Sequence, residues 1–220
     1  PSFTKEELMG QEVVDVIKKL NEDNDMAGII VQLPLPPQFD KQAILDAVSP
    51  EKDVDVLGSV ASEFFYSNKS TLALPTANAV MKILEQISVD FNDKKLVILG
   101  QGPLVGKPVS HLLMNQGIVH DVVTKKTEET LKMDLIRNAD ILISAMGVPY
   151  AISADMVKEG VIIIDAGTSE MEGSIVGDVD FASVGSKASY ITPTPGGVGP
   201  VTVACLFENV LQVAKQNIHE

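Results

Sequence analysis

The chain has 220 residues, and its 17 lysines and arginines against 30 aspartates and glutamates give a formal net charge of −13. This length allows one or two domains with a sizeable core. The acidic balance argues against nucleic acid or an anionic membrane as a partner, and no apolar run approaches the ~20 residues of a membrane span. The single cysteine, Cys205, excludes an internal disulfide and favours a reducing compartment, the cytoplasm.

The first part of the chain predicts two helices on either side of a strand. Residues 2–23 carry apolar side chains at helical spacing, and residues 40–48 predict a second, shorter helix. Residues 28–33 form an apolar run that stops at a proline, which is typical of a buried strand. Residues 59–75 show no regular pattern, and the next helix is expected to start at Pro75.

A glycine loop then follows a short apolar strand. The strand is predicted at residues 96–99, the loop has the spacing G-x-G-x-x-x-G at Gly100, Gly102 and Gly106, and a helix is expected to open at Pro108. Glycines let the backbone approach a pyrophosphate, and a helix N-terminus offers free N–H groups and a positive dipole. The order predicts a dinucleotide site, although a plain strand-to-helix turn has the same pattern.

The rest of the chain alternates strands with helices. Strands are predicted at residues 119–124, 140–145, 161–165 and 189–192, with a polar helix at 127–137 and an apolar final helix from Pro200. This alternation predicts an α/β fold with a Rossmann-like parallel sheet covered by helices on both faces. Ligands of such sheets bind at the carboxyl edge of the strands.

The cofactor is predicted to be NADP, with NAD as the alternative. The second strand of the sheet ends before Lys125 and Lys126, where an NAD enzyme usually places an acid for the ribose. Asp121 has about the right spacing for that acid but lies early in the strand. The three histidines lack metal-ligand spacing, so no metal site is predicted.

Four stretches of the chain carry a family resemblance. They are GIIVQLPLP (28–36), PEKDVD (50–55), GQGPLVGKP (100–108) and ITPTPGGVGPVTVA (191–204), supported by IIIDAGTSEMEGSIVGDVDF (162–181). Together they resemble the bifunctional methylenetetrahydrofolate dehydrogenase/methenyltetrahydrofolate cyclohydrolase family. The competing interpretations are a nucleotide-binding relative without catalysis and an unrelated hydroxyacid dehydrogenase, which would need a histidine near a strand end.

The resemblance implies an enzyme of one-carbon metabolism that oxidises a folate-bound methylene group with NADP and hydrolyses the product. It implies a folate-binding lobe at residues 1–75, completed by the final helix at 201–220, and an NAD(P)-binding domain at 76–200. Long helices would join the two lobes. The implied partners are tetrahydrofolate derivatives and a second copy of the chain in a homodimer, with no nucleic acid or membrane.

The resemblance also implies site residues. Gln32, between Val31 and Leu33, matches the family's substrate glutamine, and Asp55 matches its pterin-binding carboxylate, the two residues expected to be catalytic. The turn that closes over substrate and nicotinamide matches Pro195, Gly196, Gly197, Val198 and Gly199. The expected cofactor-binding residues are Gly100, Gln101, Gly102, Gly106, Lys125 and Thr168.

Three departures from the family pattern affect these expectations. The family's catalytic lysine, in a Tyr-x-x-x-Lys helix upstream of VQLPLP, has no counterpart here. Gln101-Gly102 replaces the usual Arg-Ser, and the proline that opens the linker helix is shifted to Pro75. The 220 residues are therefore expected to bind nucleotide but to turn over folate poorly, unless Lys52 replaces the lysine. The strand at 28–33 is expected to lack a neighbouring strand. Part of the final helix is expected to lack a packing partner.

Overall fold

The computed structural model describes residues 10–218. The described residues up to Leu74 and from Leu206 onward form one compact unit, called here the first unit, and Pro75–Cys205 form the second. None of the described helices is long and apolar enough to cross a membrane. The helices are α1 Gly10–Glu22, α2 Lys41–Asp46, α3 Ser59–Tyr66, α4 Pro75–Gln86, α5 Gly106–Asn115, α6 Glu129–Asn138, α7 Phe181–Val184 and α8 Val198–Ile218.

The second unit is built on a parallel sheet, which confirms the predicted fold class. Its five strands lie in the order β2-β1-β3-β4-β7, and β5 and β6 form a separate antiparallel hairpin. The strands are β1 Leu96–Leu99, β2 Asp121–Val123, β3 Ile141–Ser144, β4 Ile162–Asp165, β5 Ser169–Met171, β6 Ser174–Val176 and β7 Tyr190–Ile191. Every residue of β1 and β3 is buried, as expected when helices cover both faces of a sheet.

The register of the sheet aligns the carboxyl ends of its inner strands. Leu99 lies opposite Val123 on one side and Ser144 on the other, and Ser144 lies opposite Asp165. The loops that follow β1, β2, β3 and β4 therefore leave the sheet at one edge. This edge is where the glycine loop lies.

The structure contains elements that the sequence did not predict. Residues 59–66 form α3, although the pattern there was interpreted as irregular. The carboxylate of Asp46 at the end of α2 accepts hydrogen bonds from both the backbone N–H and the hydroxyl of Ser59. This cap comes from another helix, so local sequence does not reveal it. The β5–β6 hairpin and α7 were also missed.

The first unit packs helices around a small apolar core that contains Ile17, Ile29 and Ile44. The predicted strand at 28–33 is wrong, because only Ile29 pairs, in a single parallel bridge with Asp53. A strand needs a neighbour along its length, and the segment after Asp53 turns away. The predicted first helix is confirmed over α1, whereas its residues 2–9 lie outside those described.

The last helix, α8, begins at Val198, two residues before the expected Pro200. Its buried Asn209 donates side-chain hydrogen bonds to the carbonyls of Val54 and Ala73, both at 2.8 Å, which fixes the helix within the first unit. The apolar stripe predicted for α8 is only partly buried, since Phe207 is 68% exposed. Part of the helix therefore lacks a packing partner among the described residues.

Candidate functional site

The glycine loop of the second unit has two closed positions and one open position. A Cβ atom added at Gly100 would lie 2.4 Å from the carbonyl oxygen of Ala145, and one added at Gly106 would lie 2.0 Å from that of Gly100. Gly100 also has φ of +98°, which favours glycine. A Cβ atom added at Gly102 meets nothing within 4 Å. Gly100 and Gly106 therefore shape the loop, and Gly102 leaves its outer side open.

A helix starts directly after this loop. Helix α5 begins at Gly106, two residues before the expected Pro108, and the N–H of Lys107 donates to the carbonyl of Gly102 at 3.1 Å. Gln101 and Gly102 are exposed. An open glycine beside the positive end of a ten-residue helix provides what a pyrophosphate needs, so the residues present fit a dinucleotide.

The turn after β2 carries two exposed lysines at the same edge. Lys125 and Lys126 lie in a turn in which Thr124 and Thr127 exchange hydrogen bonds. Asp121 pairs with Val97, two residues before the edge of β1, so it lies about 7 Å back along the strand. Asp121, the alternative acid for a ribose, is therefore remote from the edge of the sheet, whereas Lys125 and Lys126 lie at that edge.

A cavity of about 410 Å³ lies beyond the carboxyl end of β4. It brings Thr168 together with the whole of the predicted closing turn, Pro195–Gly199. The peptide bond between Thr194 and Pro195 at the start of this turn is cis. Two regions that the sequence assigned separately, to cofactor and to substrate, thus line one cavity in the second unit.

Two buried aspartates lie beside this cavity, and sequence reasoning assigned them no role. Asp165 is 3% exposed at the end of β4, and Asp178 is fully buried in the segment after β6. Burial raises the pKa of Asp165 to about 6, although backbone hydrogen bonds oppose the shift and the nearby charge of Asp178 adds to it. The sequence did offer a signal for both residues. Asp165 is the last residue of a predicted strand, and Asp178 directly follows Gly177.

The first unit holds another pair of aspartates, Asp53 and Asp55, with different surroundings. The Asp53 carboxylate accepts backbone hydrogen bonds from the turn that follows it, including the N–H of Gly58 at 2.7 Å. The carboxylate of Asp55 is half-buried, and no hydrogen bond from residues 10–218 contributes to its pKa. Burial, and then the charge of Asp53, raise the pKa of Asp55 to about 6. Asp55 is thus an acceptor available to a ligand.

The predicted substrate glutamine lies on the neighbouring segment. The two segments meet at the parallel bridge between Ile29 and Asp53, and Gln32 and Asp55 follow that bridge by three and two residues in their own segments. The Gln32 side chain is exposed and donates to the carbonyl of Leu33 at 2.8 Å, whereas Val31 and Leu33 are half-buried. Gln32 is therefore accessible to a ligand.

Lys52 does not offer a substitute for the family's lysine. Its side chain is buried, and its ammonium group donates to the carbonyls of Leu20, Asn21 and Asp23 at 3.1, 2.7 and 2.7 Å. All three of its donor positions are used at the C-terminal end of α1. The sequence hypothesis that Lys52 could act as the catalytic lysine is therefore wrong, because the residue caps a helix.

Both units match one protein family. Residues 2–55 match the catalytic domain of tetrahydrofolate dehydrogenase/cyclohydrolase, and residues 74–218 match its NAD(P)-binding domain. The chain belongs to the tetrahydrofolate dehydrogenase/cyclohydrolase family. This confirms the resemblance drawn from the four sequence stretches.

Individual relatives in this family are similar over most of the chain. The bifunctional protein FolD of Hydrogenobaculum sp. is 44% identical over 92% of this chain and 73% of its own length. The crystal structure of FolD from Campylobacter jejuni has a TM-score of 0.87 at 40% identity, covering 96% of this chain and 75% of that one. The Trypanosoma brucei enzyme, solved with NADP cofactor and an inhibitor, has a TM-score of 0.89 at 36% identity, covering 97% and 75%.

Proposed function

We propose that this protein oxidises 5,10-methylenetetrahydrofolate to 5,10-methenyltetrahydrofolate with NADP, and hydrolyses that product to 10-formyltetrahydrofolate. The observation that carries the proposal is the Asp55 carboxylate, which is half-buried and without a donor among the described residues of a unit that matches the family's catalytic domain. A flat aminopyrimidine edge presents two donors to such a carboxylate. Asp55 is the proposed anchor for the pterin, with Val31, Gln32 and Leu33 beside it.

The dehydrogenase step needs orientation more than acid–base chemistry. A hydride leaves the bridging CH₂ of the folate, which becomes the methenyl cation, and NADP when bound supplies the acceptor carbon. The chain's task is to hold donor and acceptor in near-attack geometry. We assign this task to Asp55 and Gln32 on the folate, to Gly100, Gln101, Gly102 and Gly106 on the pyrophosphate, and to Thr168 with the Pro195–Gly199 turn at the nicotinamide end.

The cyclohydrolase step needs an activated water, and this separates the two reactions. Water adds to the methenyl carbon and loses a proton, which a positioned base normally accepts. The bond from that carbon to N5 then breaks as the hydroxyl proton moves to N5, which leaves the formyl group on N10. Within residues 10–218, Lys52 has all its donors engaged. We therefore propose that the 220-residue chain transfers hydride faster than it hydrolyses. The alternative is a relative that binds nucleotide without catalysis.

NADP is the proposed cofactor because two exposed lysines, Lys125 and Lys126, follow β2 at the edge that carries the glycine loop. The NADP complex of the similar T. brucei enzyme supports this choice. Gln101 in place of an arginine removes one cation from the site, which makes NAD the alternative. We also propose the cytoplasm as the compartment, supported by the single cysteine, and a homodimer, supported by the family resemblance.

Substitutions at two glycines test the cofactor site. Gly102→Val is expected to abolish measurable NADP binding without lowering the melting temperature, since the added side chain occupies open space where the pyrophosphate would lie. Gly100→Ala is the contrasting variant, because it strains the backbone and is expected to destabilise the fold itself. Calorimetric titration and thermal unfolding measure the two effects. Undiminished NADP affinity in Gly102→Val would refute the assignment.

A further inference from the structure

A chain of buried hydrogen bonds crosses the carboxyl edge of three strands in the second unit. It joins four residues that are each at most 5% exposed: Ser144 at the end of β3, Asp165 at the end of β4, Asp178, and Thr192 directly after β7. Within the described residues no buried side-chain nitrogen or oxygen atom lacks a partner. The network is therefore complete as it stands, and it binds only parts of its own chain.

Asp178 is the residue through which this network holds the loop after β3. One of its carboxylate oxygens accepts from the Ser144 hydroxyl and the Met146 N–H, both at 2.7 Å, and the other accepts from the Val148 N–H at 2.8 Å. The same loop contains Ala145, whose carbonyl lies against Gly100 of the glycine loop. Asp178 thus fixes the loop after β3 at Met146 and Val148, beyond the contact that Ala145 makes with the glycine loop.

Asp165 holds the next loop along the edge. Its carboxylate accepts from the N–H groups of Gly167, Asp178 and Val179 at 2.9, 3.2 and 3.0 Å, while its own N–H donates to the Thr192 hydroxyl at 2.8 Å. Gly167 packs so closely that an added Cβ atom would lie 2.1 Å from the Asp178 side chain. The two aspartates therefore fix the loops after β3 and β4 against each other.

The strand order indicates which half of the cofactor lies over these loops. The proposed pyrophosphate loop follows β1, and the lysines proposed for the 2′-phosphate follow β2 on one side of it. A dinucleotide laid across the edge with its adenosine over β2 places its other half over β3, β4 and β7, on the opposite side of β1. The cavity lined by Thr168 and Pro195–Gly199 lies on that side.

We propose that Asp178, supported by Ser144 and Asp165, is a positioning residue for the nicotinamide half of the cofactor. It acts through the loop after β3 and touches neither cofactor nor substrate. This inference rests on the proposed NADP-binding function. Damage to the network should weaken binding of the nicotinamide half of the cofactor. Binding of the adenosine half, which β1 and β2 hold, should stay unaffected.

The test compares two probes on the full chain. NADP spans both halves of the site, and adenosine 2′,5′-bisphosphate carries only the adenosine half, with its 2′-phosphate and the 5′-phosphate that begins the pyrophosphate. Asp178→Asn has one carboxamide oxygen for three donors, so at least one N–H or O–H group is left facing the new amide. By calorimetry we expect its Kd for NADP to rise about tenfold, as one lost hydrogen bond implies, with the Kd for the bisphosphate unchanged.

Two further variants keep the test decisive. Ser144→Ala removes one donor and is expected to raise the NADP Kd about threefold, again without affecting the bisphosphate. If Asp178→Asn does not fold, this variant decides. Asp180→Asn is the control, since Asp180 caps α7 outside the network and asparagine caps equally well. It should change neither affinity.

The outcomes are distinct. If Asp178→Asn and Ser144→Ala weakened the binding of both probes equally, the damage would be general and the inference would be overturned. Unchanged affinity for both probes in these variants would overturn it as well. A wild-type chain that binds neither probe would overturn the proposed function and this inference with it. Loss of NADP affinity confined to the two network variants supports positioning.

Discussion

The two pairs of aspartates in this protein differ in what surrounds them. In the second unit Asp165 and Asp178 are buried, and N–H or O–H groups of their own chain bind both carboxylates. In the first unit Asp53 is bound in the same way by the turn after it, whereas nothing in the described part of the chain donates to Asp55. A carboxylate with donors from its own chain builds structure, and one without them is available to a ligand.

The segment Glu51–Asp55 contains both kinds of residue side by side. Lys52 and Asp53 use their charged groups on backbone, and Asp55 does not. All three residues are charged, so residue type does not distinguish them. The difference lies in whether the folded chain supplies each charged group with a hydrogen-bond partner. Four experiments test this contrast, beginning with the substitution for which we expect the greatest change.

Lys52→Met tests whether Lys52 stabilises the fold at the end of α1. Three carbonyls at the end of α1 lose a charged donor, so the free energy of unfolding is expected to fall by about 2–4 kcal/mol, measured by urea denaturation. Lys18→Met, an exposed lysine on α1, is the control and should change it by less than about 0.5 kcal/mol. A specific loss of cyclohydrolase activity with full stability in Lys52→Met would instead restore Lys52 as a catalytic group.

Asp55→Asn tests the residue assigned to the ligand. An amide replaces one acceptor oxygen with a donor, so the dehydrogenase kcat/KM is expected to fall about 10- to 100-fold, the cost of a hydrogen bond to a charged group. The melting temperature should hold or rise, because a half-buried charge without a donor disappears. Asp25→Asn, exposed in the same unit, serves as the control. If Asp55→Asn were unstable but kinetically normal, Asp55 would have a structural role, and its assignment to the ligand would be contradicted.

The pH dependence of folate binding sharpens the assignment of Asp55. Because its pKa is raised from 3.8 to about 6, the folded protein binds more protons than the unfolded chain between these values, and stability falls as pH rises through this window. Folate donors need the ionised form, so KM for folate should rise about tenfold per pH unit below about 6. Steady-state kinetics in the wild type and in Asp55→Asn, which should show no such break, test this.

Lys125→Ala should have the smallest effect, because exposed ion pairs contribute little. We expect NADP to bind about 2- to 5-fold more weakly, with NAD binding unchanged. Calorimetric titrations with both cofactors measure the difference, and raising the salt concentration should reduce it. Equal affinity for NAD and NADP in the wild type, unaffected by the substitution, would contradict the assignment of NADP.

Most of the second unit could be predicted from local sequence patterns. The strand at 96–99 is confirmed to the residue, and the glycine loop, the parallel sheet and the family followed from short patterns. Such features are local, since apolar runs, glycines and helix starts carry their signal within a few residues. The first unit was predicted less well, because its strand at 28–33 needed a neighbour that the pattern could not supply.

The roles of the charged residues could be established only from the folded structure. Asp46 caps α3 from another helix, and Lys52 reaches carbonyls 29 to 32 residues earlier in the chain. Asp178 reaches a serine 34 residues earlier in the chain. Hydrogen bonds over such separations depend on how the chain folds back on itself, so no local pattern encodes them. Whether a carboxylate holds the fold or awaits a ligand is therefore decided by the donors that folding brings to it.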